Sequence, residues 1–178
     1  KCAEEMISDG IPKNLIRIIG QPYLENLTKN IPVLGSKILF TSQPIKKYSN
    51  DNLGYDETDF WKICLQSIKK LGNDKVLATL HPEEEIKAVK EANTNIIWSA
   101  GQGIKDITNS HTIIGMSSMQ MIVGYLWGRR VASVQPRLVR EDPSPLSRWG
   151  LIPLLERNDE LVRFLKEKKM PDSNESFK

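Results

Sequence analysis

Five polar side chains stand where short apolar runs give way to turns. Ser42 and Gln43 close KILFTSQ, His81 follows KVLATL, and Ser117 and Ser118 follow TIIGM. Hydroxyl, amide and imidazole groups are the donors that bind an anionic oxygen without needing a metal. The double serine is the most informative of the set. From Thr112 to Leu138 the chain reads as strand, tight turn, buried helix, glycine stop and second strand. At such a strand-to-helix junction the first free N–H groups and the positive end of the helix dipole can hold an anion. A nucleotide diphosphate is the usual guest of that turn in an α/β sheet, so Ser117 and Ser118 mark a candidate nucleotide-sugar site.

Each group also has a plainer reading. Ser117 can cap the helix while Gln120, three residues on, reaches back to it as a capping box. His81-Pro82 is a helix start with proline at the first helical position, and Glu83, Glu84 and Glu85 then complement the dipole. Those carboxylates would repel a phosphate unless they face solvent. Thr41-Ser42-Gln43-Pro44 can receive a diphosphate or sugar, or turn the chain. Gly101-Gln102-Gly103 lacks the rest of a dinucleotide fingerprint and reads as a turn. His111 has no metal partner at a useful spacing and reads as structural, and Trp149 as a loop anchor. The sequence holds no Ser-His-Asp order, CxxC pair, HExxH or P-loop, and no carboxylate pair arranged for a metal.

The elements that must position these groups alternate in type. Ile16–Gly20, Lys37–Gln43, Lys75–Leu80, Asn95–Ala100, Thr112–Met116 and Arg130–Val134 are short apolar runs expected as strands buried on both faces. Helical patterns lie between or after them: Asp56–Leu71, with Phe60, Cys64, Ile68 and Leu71 inward beside Trp61 and Leu65; Glu83–Ala92; Ser118–Trp127; and Asn158–Lys168, with Leu161, Val162 and Leu165 inward. The alternation predicts right-handed crossovers and a doubly wound, mostly parallel sheet with helices on both faces. Ligands in such sheets bind beyond the carboxyl ends of the strands, where all five polar residues fall. The proline-rich stretch Gln135–Pro153, with Arg137, Arg140 and Arg148, suits a covering loop or a domain contact.

Composition narrows the class. With 178 residues, 39% hydrophobic, 26% charged and a net charge of +3, the chain suits one soluble globular domain and gives no footing for nucleic-acid binding. Two cysteines, Cys2 and Cys64, make no disulfide framework and fit a reducing compartment. No apolar run reaches the ~18 residues of a membrane span. The first residue is Lys1 rather than methionine, as expected of a piece of a longer protein.

Taken in order, G-I-P-x-x-x-I-x-x-I-G-Q-P (Gly10 to Pro22), a strand ending in TSQP, then LHP, then IIGMSS with Gly128 beyond, resemble the C-terminal half of a GT-B glycosyltransferase. Among GT-B proteins the chain is similar to the group around UDP-N-acetylglucosamine 2-epimerase and the bacterial sialyltransferase-like enzymes. The resemblance implies a Rossmann-like domain that holds the nucleotide of a sugar donor, a UDP- or CMP-sugar, with no separate cofactor. It implies a nucleotide-sugar-binding domain over residues 1–170, a frayed tail at 171–178, and a separate N-terminal domain for a glycan or lipid-linked acceptor. The intact protein would be a glycosyltransferase of polysaccharide biosynthesis, cytoplasmic and peripheral at the inner face of the membrane, and this half alone would be inactive. By the same resemblance Gly20 closes the first motif, Ser42 and Gln43 lie near the phosphates or sugar, His81 contacts the donor phosphate as the catalytic residue, and Ser117 and Ser118 bind phosphate. Two departures stand out. Val123 and Gly124 replace the Glu-Ala pair whose glutamate binds ribose in many members, and the HRREN-type segment of the epimerases is absent, which disfavours epimerisation. Two rivals follow: a non-catalytic module or split-transferase subunit, and a flavodoxin-like domain for another phosphorylated ligand.

Overall fold

The computed structural model describes residues 2–48, 53–72, 76–81, 83–84 and 96–167. The chain falls into two compact units, Lys1–Ile31 and Pro32–Lys178. The first unit holds helix α1 (Cys2–Ser8), a 3-10 turn at Lys13–Leu15 and helix α2 (Pro22–Thr28). Gln21 caps α2, its side chain accepting from Leu24 N–H at 3.2 Å, and Pro22 takes the first helical position where no donor is lost. None of the unit's described residues is buried. The strand expected at Ile16–Gly20 does not form. Ile18 and Ile19 are 83% and 79% exposed, and no described strand pairs with them. An apolar run becomes a strand only when a neighbour completes its ladder, and here there is none.

In the second unit a six-stranded sheet runs in the order β3-β2-β1-β4-β5-β6, every pair parallel. Its strands are β1 (Lys37–Thr41), β2 (Val76–Thr79), β3 (Ile96–Ser99), β4 (Ser110–Gly115), β5 (Arg130–Val134) and β6 (Leu154–Leu155). Five of these lie within or across the apolar runs read as strands. The two-residue β6 is too short to carry a pattern.

Both sheet faces are covered, which is why the strands are apolar throughout rather than alternating. On one face Ile38, Phe40, Val76, Ala78, Ile114, Ala132 and Val134 pack with Phe60, Trp61 and Cys64 of α4 (Glu57–Leu71) and with Leu161 and Leu165 of α8 (Asn158–Lys166). Helix α4 starts where Asp56 Oδ1 accepts from Thr58 and Asp59 N–H, and it stops at Gly72, whose φ is +77°. The opposite face receives α5 (Ile104–Thr108) and α6 (Met119–Leu126), with Ile107, Met121 and Val123 buried. Helix α3 (Ile45–Tyr48) follows β1, and α7 (Pro145–Arg148) lies in the long loop before β6. Of the helix expected over Glu83–Ala92 only Glu83 and Glu84 are described, and neither is helical; its remainder and the tail at 171–178 lie outside the described residues. No described helix is long and apolar enough to cross a membrane.

Close approach fixes one glycine. A Cβ on Gly35, just before β1, would meet the Asn109 carbonyl carbon at 2.0 Å and Ser110 N at 2.3 Å. These are backbone atoms, so no side chain can move aside. Gly35→Ala is expected to destabilise the fold by about 1–3 kcal/mol. Each of those kcal/mol lowers Tm by about 2–4 °C for a chain of this size, readable by calorimetry.

Candidate functional site

The winding of the sheet reverses between β1 and β4. From β1 the chain steps outward to β2 and β3, then returns past β1 to β4 and continues outward to β5 and β6. At such a reversal the crossovers leave in opposite directions and open a crevice over the carboxyl ends of the two strands. The residues that end β1 and β4 are Thr41 and Gly115, partners in register, so Ser42 and Gln43 face Met116 and Ser117 across this crevice.

Gln43 bridges it. Its Oε1 accepts from Ser117 N–H at 2.8 Å and from the Ser117 hydroxyl at 3.1 Å. From below, the buried Ser133 hydroxyl donates to the Met116 carbonyl at 2.6 Å. The turn that presents the two serines is thus held on both sides. The capping box expected between Ser117 and Gln120 does not form, because Gln43 has taken both donors of Ser117. Ser118 is the cap instead: its Oγ accepts from Gln120 N–H at 3.2 Å and its carbonyl from Met121 N–H. Gln120 Oε1 is left buried without a partner among the described residues. The Ser118 hydroxyl proton and the N–H groups of Ser118 and Met119 have no acceptor among the described residues. These donors and the α6 dipole converge at the switch point, an arrangement that suits an anionic oxygen.

The support under this turn is a buried polar chain. Gln135, fully enclosed, donates through Nε2 to Ser133 Oγ at 2.8 Å and to Asp142 Oδ1 at 2.5 Å, and its Oε1 accepts from the Tyr55 hydroxyl at 3.0 Å. Asp142 also accepts from Ser144 N–H and the Ser147 hydroxyl. Burial, then the charge of Asp142, push the Tyr55 phenol above its ordinary range and keep it a donor. The Gln135–Pro153 stretch therefore folds onto the sheet through Asp142, and Trp149 caps α7. Next to it Arg137, at φ +59°, donates to Asp59 Oδ2 at 2.6 Å.

A second cluster lies on the β2 side of β1. The buried Ser42 hydroxyl and the His81 N–H both donate to Glu84 Oε2, each at 2.6 Å. Glu84 Oε1 is buried and has no partner among the described residues. Burial raises the Glu84 carboxyl above the ordinary carboxylate range, and Glu57 adds to that. The Ser42 hydroxyl, the His81 N–H and the His81 charge oppose it. The His81 ring is exposed, with Nδ1 accepting weakly from Glu83 N–H at 3.4 Å. Lys47 pairs with Glu83 at 3.3 Å on the rim.

Of the residues read as candidates, Ser42, Gln43, His81, Ser117 and Ser118 share one sheet edge. Gly20 lies in the first unit, at φ +73° ahead of α2. Val123, counted as the ribose position, is 2% exposed and part of the core. His111 lies within β4, its Nδ1 2.8 Å from Thr112 Oγ1. Asp106 was not read as significant. It is buried at the ends of β2 and β3 and accepts from Thr79 Oγ1 at 3.1 Å and Ser99 Oγ at 2.7 Å.

No protein-family model matches the chain, and no curated protein matches it. Solved structures do. The UDP-GlcNAc 2-epimerase of Methanocaldococcus jannaschii, in complex with UDP-GlcNAc and UDP, is 13% identical with a TM-score of 0.67 over 93% of this chain and 52% of that one. The UDP-GlcNAc 2-epimerase of Neisseria meningitidis, bound to UDP-GlcNAc, is 13% identical with a TM-score of 0.54 over 93% and 49%. The E. coli heptosyltransferase WaaC with ADP is 11% identical with a TM-score of 0.52 over 93% and 55%. All are GT-B-type folds, and the chain has the Rossmann-like α/β fold of a GT-B domain. It spans about half the length of the structures it matches.

Two outcomes follow from this geometry. Asp142→Ala leaves Gln135 Nε2, Ser144 N–H and Ser147 Oγ without their acceptor, and is expected to cost about 2–3 kcal/mol in denaturant unfolding. Because the folded Glu84 carboxyl is raised, its contribution to stability is complete below the ordinary carboxylate range and is lost as pH rises through the raised value. Wild-type Tm is therefore expected to fall over that interval relative to Glu84→Gln measured in the same buffers.

Proposed function

We propose that this chain is the donor half of a GT-B glycosyltransferase: residues 1–170 bind a nucleotide-sugar, a UDP- or CMP-sugar taken as substrate with no separate cofactor, and 171–178 form a tail. The observation that carries the reading is the set of unpartnered donors at Ser118 and Met119, at the crevice where β1 and β4 diverge. The same fold in the matched structures is solved with UDP-GlcNAc and UDP or with ADP. The sugar would pass to a glycan or lipid-linked acceptor held by a separate N-terminal domain, in polysaccharide biosynthesis on the cytoplasmic side, peripheral to the inner face of the membrane.

In this reading the start of α6 stabilises negative charge as it develops on the leaving phosphate. Ser118 supplies its hydroxyl and N–H. Ser117 acts with Gln43, whose carbonyl fixes the turn so that those donors point outward. His81 hydrogen-bonds the phosphate or returns a proton to it. Ser42 lies at the same edge toward the phosphates or sugar, and Gly20 keeps the place that the first motif gives it.

A second reading is a non-catalytic module or a subunit of a split transferase. The burial of Val123 where many GT-B members carry the ribose glutamate favours it. Thermal unfolding with millimolar UDP, CMP, GDP, TDP and phosphate in parallel separates the two. A nucleotide at about a hundred times its Kd stabilises by about 2.7 kcal/mol, a shift of several degrees. The donor reading expects that shift with one nucleotide class and its loss in His81→Ala and Ser118→Ala, each compared with its own unliganded Tm, since Ser118→Ala also removes the α6 cap at a cost of about 1 kcal/mol. The module reading expects no shift with any nucleotide.

A further inference from the structure

Two donors at the carboxyl edge converge on one oxygen, and that oxygen belongs to the protein itself. Ser42, 4% exposed, and the His81 main chain both give their protons to Glu84 Oε2, each at 2.6 Å. A hydroxyl and an N–H aimed at a single anionic oxygen make a cradle of the kind that binds a phosphoryl oxygen. Here the carboxylate oxygen of Glu84 stands in for it.

The occupant is poorly matched to its seat. Glu84 Oε1 is shielded from solvent and finds no donor among the described residues, so half of the carboxylate is desolvated without compensation from them. Glu57 adds repulsion from α4, where its Oε2 already accepts from Lys46 N–H. Burial first, and Glu57 in addition, raise the Glu84 carboxyl above the ordinary carboxylate range. An incoming phosphate cannot share the cradle, since it would set two anions on the same pair of donors.

We propose that Glu84 is the resident occupant of the Ser42–His81 anion cradle, and that the phosphate of a bound nucleotide takes those donors by displacing it. This rests on the reading above, that the edge receives a nucleotide-sugar. Glu84 then sets the affinity of the site from within, holding the cradle ordered when empty and weakening every ligand that fills it.

Calorimetric titration of UDP, CMP and inorganic phosphate into the wild type, Glu84→Ala, Glu84→Gln and Ser118→Ala tests this. Each variant is first checked for folding by its melting curve. Glu84→Ala is expected to bind the nucleotide about tenfold more tightly or better, the worth of a charge-assisted hydrogen bond no longer contested. Glu84→Gln, which keeps the acceptor but loses the charge, is expected to fall between. A gain with phosphate as well as with nucleotide places the effect on the shared anion. Nucleotide affinity unchanged or lowered in Glu84→Ala, with Ser118→Ala still weakening binding, overturns the role of Glu84 and leaves the donor reading standing. A lowered affinity would instead make Glu84 an acceptor for ligand hydroxyls. Absence of binding in the wild type and in Glu84→Ala overturns both.

Discussion

The bond from Ser117 N–H to Gln43 Oε1 is the one on which the rest of the carboxyl edge depends. Where the winding of a parallel sheet reverses, the two central strands end beside each other with nothing overhead, and their last polar groups must be satisfied sideways. Gln43 meets that demand from β1 by accepting both protons of Ser117, and Ser133 meets it from β5 by donating to the Met116 carbonyl. With Ser117 held, the cap passes to Ser118, leaving two main-chain donors and a hydroxyl proton without an acceptor among the described residues. The pre-organisation of those donors is a product of satisfaction beneath them.

The same logic explains the fully buried Gln135. A single amide serves Tyr55, Ser133 and Asp142, and an apolar side chain there would take the acceptor from the Tyr55 hydroxyl and a donor from both Ser133 and Asp142. Such a network is stable only when complete, which ties the loop before β6 to the turn after β4. On the β2 side completion fails. Glu84 satisfies Ser42 and His81 with one oxygen while its other oxygen goes unmet, and the imbalance lies beside the crevice rather than in the core.

The sheet was legible because its strands are buried on both faces and read as bounded apolar runs, with the helix of α4 marked by its apolar stripe and its Asp56 cap. Ile16–Gly20 carries the same composition, yet composition does not supply a neighbour, and the segment remains exposed. The edge residues Ser42, Gln43, His81, Ser117 and Ser118 were legible as strand-end polar groups. Their wiring was not. Gln120 stands at capping-box spacing from Ser117, while the group that captures Ser117 is far away in sequence, and local spacing cannot see such a competitor. Glu84 read as a dipole-complementing glutamate at a helix start. That it turns back on Ser42 becomes visible only when β1 and β2 lie side by side.

One feature of the sheet governs how the chain is made. β1 is the first strand of this sheet to be synthesised and sits at its centre, with Ile38 paired to Val76 on one side and Thr112 on the other. At a synthesis rate of about 5–20 residues per second, β4 follows β1 by roughly 4–15 s. Until α4 and β2 emerge, Ile38, Leu39 and Phe40, buried in the finished domain, have neither ladder nor cover, and the edge of β1 that receives β4 stays open for the whole interval. A nascent chain in this state offers an open strand edge to any neighbour. Its yield on the ribosome is set by whatever shields KILFT until Thr112 arrives.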